Sequence, residues 1–181
     1  MRKIVLAAAA FAFVAVGASS DALAFSAVGF RNALVNCLTE GVDPSERISA
    51  CNDVIHTNIL LPADRARVIA ARGNAHFAQG DFDKALDDYN KSISLNAKLP
   101  PPVINRAITY IKMGKCDQTA ADLNSMLGFD AHSWRAYYAR SLCDAKMGDQ
   151  AKAQADLAAA NAINPNVAQQ FGPQEVPRWF Q

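Results

Sequence analysis

The sequence predicts an all-α protein, an α-solenoid built from antiparallel helix–turn–helix hairpins. Three observations carry this prediction. Glycines recur every 34 residues, the segments between them favour helix, and other residue types repeat with the same period. The repeating columns are Gly80, Gly114 and Gly148; Arg72, Arg106 and Arg140; Asp88, Asp122 and Asp156; and the apolar Leu95, Phe129 and Ile163.

The first residues, 1–24, have the pattern of a secretory signal peptide. Arg2 and Lys3 precede an alanine-rich apolar run, and an Ala-Leu-Ala sequence at 22–24 resembles a cleavage site. The run is shorter than the ~20 residues that a spanning helix needs, so a membrane anchor is the weaker alternative. We therefore expect a periplasmic protein, with secretion as the alternative.

The charge balance argues against two classes of partner. The formal net charge of the chain is +1, and removal of residues 1–24 leaves equal numbers of basic and acidic residues. A neutral chain has no electrostatic attraction to nucleic acid or to an anionic membrane surface. We expect no nucleic-acid binding and no stable membrane insertion after signal cleavage.

Residues 25–65 predict an N-terminal helical hairpin. Asp43, Pro44 and Glu46 form a helix start, with a capping side chain, a proline in the first turn and an acidic residue three positions after the cap. The segment lacks the repeated Arg and Asp columns. We interpret it as a degenerate hairpin that caps one end of the solenoid.

Each 34-residue unit predicts two helices with a glycine turn between them. In the first unit Gly80 can take the left-handed conformation that ends a helix, and Asp81 or Asp83 can cap the next one. Prolines at the start of the second unit suit a first helical turn. The units occupy 66–99, 100–133 and 134–167, followed by a C-terminal capping segment and tail at 168–181.

These units resemble the tetratricopeptide repeat family, whose pattern has a small residue, a turn glycine, an alanine and aromatic residues at fixed places. The first unit matches with Gly73, Gly80, Phe82, Ala85 and Tyr89, whereas the second departs from the pattern at Cys116 and Thr119. The second unit otherwise matches with Ala107, Tyr110 and Gly114, and the third with Ser141, Gly148, Ala153 and Pro165. The resemblance implies a protein that binds other proteins, and the signal-peptide pattern at 1–24 indicates that this one is of an exported bacterial type.

The Arg and Asp columns are mirror images about each glycine. Arg72 lies eight residues before Gly80 and Asp88 lies eight after it, and the other two units repeat this arrangement. Residues equidistant from the turn of an antiparallel hairpin face each other. The spacing therefore predicts structural ion pairs between Arg72 and Asp88 and their equivalents, in preference to an anion-binding row of arginines. The equivalents are Arg106 with Asp122 and Arg140 with Asp156.

The four cysteines are also placed in pairs about the turns and connections between helices. Cys37 and Cys51 flank the turn of the N-terminal hairpin, and Cys116 and Cys143 flank the connection between the second and third units. An exported chain with an even number of cysteines favours disulfides, here Cys37–Cys51 and Cys116–Cys143. Free buried thiols or a redox function are the alternatives, although the chain has no Cys-x-x-Cys sequence.

No motif in the sequence indicates catalysis. His56, His76 and His132 fall in different hairpins, and none has metal-ligand spacing to a cysteine or to an acidic cluster. Phosphate-loop, dinucleotide and nucleophile-elbow patterns are missing as well. We expect no catalytic residues, no metal and no cofactor, and we keep an enzyme with a scattered site as the remote alternative. His76 is expected to be a packed residue.

The resemblance also implies a concave groove lined by the first helix of each unit. This groove suits a peptide or a helix with apolar anchors and an acidic group, from a partner that the sequence does not identify. The family's carboxylate-clamping set is not inferred, because Ala70 replaces its lysine beside Asn74. The predicted groove residues are Arg67, Asn74, Phe77, Ile104, Ile108, Ile111, Lys112, Arg135, Tyr138, Leu142 and Lys146.

Two other arrangements remain open at this point. The tail could cover the groove itself by inserting Trp179 and Phe180. Alternatively, the convex face could make the chain a structural subunit of an envelope or secretion assembly.

Overall fold

A computed structural model describes residues 20–167 of the chain, with side chains described from Ser26 onward. Within that range every regular element is helical, which confirms the predicted all-α solenoid. The helices are α1 (Ser20–Leu38), α2 (Pro44–His56), α3 (Pro62–Ala78), α4 (Phe82–Leu95), α5 (Pro100–Lys112), α6 (Ala120–Phe129), α7 (Trp134–Lys146) and α8 (Gln150–Ile163), with a 3-10 turn at Cys116–Gln118.

Successive helices pair into four antiparallel hairpins, and each hairpin turns on a glycine with positive φ. Gly80, Gly114 and Gly148 have φ of 82°, 75° and 87°, and Gly41 in the N-terminal hairpin has φ of 85°. Only glycine takes this conformation without steric cost, so it ends the first helix of a hairpin and reverses the chain. The N-terminal hairpin therefore uses the same turn although its other columns differ.

Prolines and one aspartate fix several helix starts. Pro44, Pro62 and Pro100 lie in the first turns of α2, α3 and α5, where the missing N–H costs nothing. The Asp43 side chain accepts hydrogen bonds from the backbone N–H groups of Ser45 and Glu46. The cap expected at the start of α4 is not formed by Asp81. Its side chain makes no hydrogen bond to the helix start and accepts one from Lys84 instead.

The second unit departs from the other two in structure as well as in sequence. Its second helix, α6, begins only at Ala120, after the 3-10 turn that contains Cys116. The Thr119 hydroxyl donates to the Cys116 carbonyl across that turn, a local bond that competes with helix formation. Cys116 and Thr119, the two positions that depart from the repeat pattern, thus form the turn that shortens α6.

Two apolar clusters form the core. The larger one joins all three repeat units, and its members include Tyr89, Ile108, Leu123 and Tyr138, each no more than 1% exposed. The smaller one lies between the N-terminal hairpin and α3, around the buried Val54 and Val68. The hairpin thus covers one end of the repeat core with apolar surface of its own.

The predicted signal peptide lies outside the described residues except for its last five, which form the first part of α1. The tail at 168–181 also lies outside them. Between residues 20 and 167, no helix combines the length and apolar character needed to span a membrane.

Candidate protein-binding site

The structure places each repeated arginine against the aspartate that mirrors it across the turn. Arg72 donates from Nε and Nη2 to the two carboxylate oxygens of Asp88, over 2.9 and 2.7 Å. Arg106 with Asp122 and Arg140 with Asp156 make the same two-bond contact. A bidentate pair fixes both the distance and the angle between two helices. The carboxylate also raises the pKa of each arginine.

A third partner of each arginine was not anticipated from the sequence. The Nη1 group of Arg106 donates to Asn90 Oδ1 of the preceding unit over 2.6 Å, and Arg140 contacts Asn124 over 2.8 Å. Arg72 makes the equivalent bond to Asn52 in the N-terminal hairpin, over 2.6 Å. Asn90 and Asn124 are 34 residues apart, so an asparagine column was the signal that could have revealed this contact.

Both predicted disulfides are present. Cys37–Cys51 joins α1 to α2, and Cys116–Cys143 joins the 3-10 turn of the second unit to α7 of the third. All four cysteines are buried, at most 6% exposed. Across the second bridge, Thr119 Oγ1 lies 3.1 Å from Cys143 Sγ. The bridges therefore fasten one hairpin internally and one pair of neighbouring units.

The apolar part of the predicted groove is not an accessible surface in this structure. Six of the eleven predicted residues are at most 8% exposed and belong to the larger core cluster. They pack against one another where the first helices of neighbouring units meet. The expectation that these residues line a groove was therefore wrong for Phe77, Ile108, Ile111, Tyr138 and Leu142, whereas Ile104 still lines the cleft described below.

The predicted basic residues have different surroundings. The Lys146 ammonium group donates to the Ile111 carbonyl at the C-terminal end of α5, over 3.3 Å, where a positive charge also suits the helix dipole. Arg67 lies 3.7 Å from Asp64 on its own helix. Lys112 is exposed beside the first glycine turn. Lys146 thus stabilises the junction of two units.

The first helices instead frame an open cleft of about 570 Å³ across α3, α5 and α7. Arg135 lies at one end, its guanidinium carbon 5.0 Å from the Trp134 ring centroid. Glu40, from the loop after α1, also lines the cleft. The remaining lining residues are Asn74, Pro100, Pro101, Ile104, Asn105, Asp130, His132, Ser133 and Trp134.

Two asparagines form the polar centre of this cleft. Asn105 Nδ2 donates to Asn74 Oδ1 over 2.7 Å, and the Tyr89 hydroxyl donates to the same oxygen over 3.0 Å. Asn74 thereby uses its oxygen, which leaves its amide N–H groups and the Asn105 oxygen as the further donor and acceptor. Such a pair matches the hydrogen-bonding groups of a peptide backbone. Asn105 was not among the predicted residues.

The histidines do not come together. His76 is half-buried, and its Nδ1 atom lies 4.0 Å from Asp81 with no hydrogen-bond partner. Burial lowers the pKa of His76, and the nearby Arg72 and Lys84 add to that effect. His132 lines the cleft. Among the described residues, no three His, Cys, Asp or Glu side chains form a group that could hold a metal ion.

The sequence has recognisable relatives. Residues 66–99 match the profile of the tetratricopeptide repeat family. A FAM10 family protein of Arabidopsis thaliana is 33% identical over 96 residues, which make up 52% of this chain and 22% of that protein. Human RNA polymerase II-associated protein 3 is 25% identical over 121 residues, 67% of this chain and 18% of that protein. The chain thus spans about a fifth of the length of these relatives.

Solved structures share the fold. A crystal structure of MamA has a TM-score of 0.67 at 18% identity, covering 82% of this chain and 86% of that one. The first repeat domain of Spaghetti (RPAP3), solved with the HSP90 peptide SRMEEVD, has a TM-score of 0.56 at 26% identity and covers 60% and 86%. Residues 66–99 thus belong to the tetratricopeptide repeat family, and the described helices around them share the solenoid fold of these solved structures.

Proposed function

We propose that this chain is a non-catalytic scaffold of the bacterial envelope that binds an extended segment of another protein in its cleft. The observation that carries the proposal is the cleft itself, which crosses the first helices of three units. It is partly open to solvent and has an amide pair among its lining residues. That shape suits a chain of residues better than a compact small molecule.

The chemistry of the cleft defines the segment that it would bind. Asn74 and Asn105 can exchange hydrogen bonds with a peptide backbone, while Pro101 and Ile104 offer apolar contact. Arg135 at one end favours an acidic side chain or a terminal carboxylate. The related Spaghetti domain, whose solved peptide ends in Glu-Glu-Val-Asp, supports an acidic ligand by analogy.

The proposed location follows from the sequence pattern at residues 1–24 and from the two disulfides. A signal peptide and paired cysteines are expected together in an oxidising compartment such as the periplasm. Cell fractionation of the full-length chain tests this location, and a precursor that stays uncleaved in the cytoplasm would contradict it.

Cross-linked affinity capture from the periplasm tests the binding function. The cleft variant is Pro101→Glu, which adds an anionic side chain at an exposed position in the first turn of α5. The matched control is Ala121→Glu, the same change in the first turn of α6, on an exposed position away from the cleft. We expect the captured partner to be lost with Pro101→Glu and kept with Ala121→Glu. Equal capture by both variants would contradict the proposed site.

A role as an assembly subunit is the second candidate, and one observation favours it. Large apolar side chains are exposed along the edge where one hairpin connects to the next, with Leu61, Phe129 and Ile163 at 70%, 65% and 36%. These positions belong to the 34-residue register. Sedimentation velocity of the wild type and of Phe129→Ser would reveal an oligomer that depends on this edge, whereas a monomer at high concentration would argue against self-assembly.

A further inference from the structure

We propose that residues 172–181 of this chain bind in the cleft of the same molecule and compete there with the partner. The competition rests on the proposed function, whereas occupation of the cleft by the tail does not. The proposal commits to this segment because of where it starts, how far it reaches, and which charged and aromatic side chains it carries.

The tail starts beside the cleft. Val167, the last described residue, is fully buried in the larger core cluster and follows α8. Because α7 and α8 are antiparallel, the end of α8 lies beside the start of α7. Trp134 and Arg135, at the start of α7, line one end of the cleft. Val167 therefore lies near the mouth of the cleft, and the tail begins there.

The tail is long enough to cross it. Gly172 and Pro173 interrupt any helix, and the segment 173–181 contains a second proline at 177. An extended polyproline-type chain rises ~3.1 Å per residue, so these nine residues span roughly 28 Å. Neighbouring packed helices lie ~8–10 Å apart, so the path from α7 over α5 to α3 needs roughly 20 Å.

One charge of the tail matches the end of the cleft where the tail enters. Glu175 lies near the start of the segment 173–181, and Arg135 lines the cleft on the α7 side. A tail that runs from α7 towards α3 therefore places an anionic side chain near a cationic one as it enters the cleft.

The apolar residues of the tail also have suitable surroundings in the cleft. Trp179 lies four residues after Glu175, roughly 12 Å along an extended chain, so it and Phe180 would reach the part of the cleft formed by Pro101, Ile104 and the amide pair. The indole N–H of Trp179 can donate to the Asn105 oxygen. A tail in this place would cover the α5 side of the cleft and exclude a second peptide.

Photo-cross-linking in the full-length chain tests occupation of the cleft. p-Benzoylphenylalanine replaces Trp179, and the cross-linked residues are mapped by mass spectrometry. We expect cross-links within one molecule to residues of α3 and α5 that border the cleft. Cross-links to the exposed edge around Phe129, cross-links only to a second copy, or the absence of any cross-link would each overturn the proposal.

A charge swap tests the direction in which the tail runs. Glu175→Arg should lower the cross-link yield by about two- to fivefold, as expected for a partly exposed ion pair. Glu175→Arg combined with Arg135→Glu should restore it. An unchanged yield in the single variant, or no recovery in the double variant, would contradict the proposed orientation.

The same experiments separate this inference from the proposed function. If the tail cross-links to the cleft but no partner is captured even by the Glu175→Arg variant, occupation stands and partner binding fails. If a partner is captured in the cleft at equal yield by the wild type and by Glu175→Arg, binding stands and competition by the tail is wrong.

Discussion

Each repeated arginine holds three helices with one guanidinium group. The pairing with aspartate could be predicted because the two columns are mirror images about a glycine within one unit. The bond to asparagine could not be predicted the same way, because it crosses from one unit to the next and depends on how the hairpins stack. The bond from Arg72 to Asn52 could not be predicted even from the 34-residue columns, because the sequence around Asn52 lacks the repeated arginine and aspartate.

Loss of one such arginine should destabilise the fold without damaging the cleft. Arg106→Ala leaves the Asp122 carboxylate, 14% exposed, without its bidentate partner. We expect a loss of about 2–3 kcal/mol in urea unfolding, below the ~3–5 kcal/mol of a fully buried pair, because 21% of the Arg106 side chain meets solvent.

The control for this prediction is Asn90→Ala, which removes one neutral partner and should cost about 1 kcal/mol. If Arg106→Ala were as mild as Asn90→Ala but abolished partner binding, the arginine would have a binding role in place of the structural one.

His76 should make stability depend on pH. Its folded pKa lies below the ordinary ~6.5, chiefly because of burial, so the unfolded chain binds the proton more readily. Stability should therefore fall as the pH drops below about 6.5 and level off below the folded pKa. Thermal melts of the wild type between pH 7.5 and 5 measure this slope.

The comparison variant is His76→Tyr, which introduces the residue found at the equivalent position, Tyr110, of the second unit. This variant should lose the part of the slope due to the histidine. An identical slope in both proteins would assign the pH dependence to other groups.

At the scale of helices, the hairpin of the first unit depends on one close approach. A Cβ atom on Gly73 would lie 2.8 Å from the Tyr89 ring and 3.1 Å from Asp88 Cβ. The equivalent pairs in the other units are Ala107 with Leu123 and Ser141 with Leu157, in which a small side chain faces a leucine. The larger ring of Tyr89 thus requires glycine at that place.

Gly73→Ala should destabilise the protein by about 1–2 kcal/mol despite the higher helix propensity of alanine, because Tyr89 is buried and has no room to move. The double variant Gly73→Ala/Tyr89→Leu, which copies the second unit, should recover part of that loss. In contrast, Gly29→Ala in α1 meets no atom within 4 Å and should be neutral or stabilising. Equal effects of the two single glycine variants would contradict the steric explanation.

The packing between helices also explains why the binding site was only partly predictable. Family positions predict a groove on the first helices, and an open cleft lies along those helices, but side-chain type alone did not show which residues remain accessible. Neighbouring first helices pack closely, and this contact buries Ile108 and Tyr138. The accessible cleft consists of residues nearer the helix starts, such as Pro101 and Asn105, whose exposure depends on the rotation between units.

Over residues 20–167, the four hairpins stack in chain order and are joined by two disulfides. Glycine spacing, proline positions and cysteine midpoints were enough to predict this architecture, since each reports a local turn or a neighbouring helix. The shortened α6 was less predictable, because the 3-10 turn before it depends on a side-chain bond of Thr119.

The two disulfides should contribute unequally to stability. On the chain-entropy model, Cys37–Cys51, with a separation of 14, is worth about 3 kcal/mol, and Cys116–Cys143, with a separation of 27, about 3.5 kcal/mol. Pairwise replacement by serine, followed by urea unfolding, measures these losses.

Hydrogen exchange gives the spatial readout of the same variants. Cys37→Ser/Cys51→Ser should accelerate exchange mainly in α1 and α2, and Cys116→Ser/Cys143→Ser mainly in α6 to α8. Uniform acceleration along the chain in either variant would show that the stack unfolds as one unit.

The row of Asn52, Asn90 and Asn124 has a consequence for the length of the molecule. Each asparagine receives an arginine from the hairpin that follows it, and the N-terminal hairpin offers the same acceptor as a true repeat. An additional copy of residues 66–99 inserted after position 99 would find a matching acceptor before it and would supply one to the hairpin behind it. The arginine–asparagine contacts between hairpins are therefore interchangeable, and duplication or engineering could extend the array while keeping this contact at every junction.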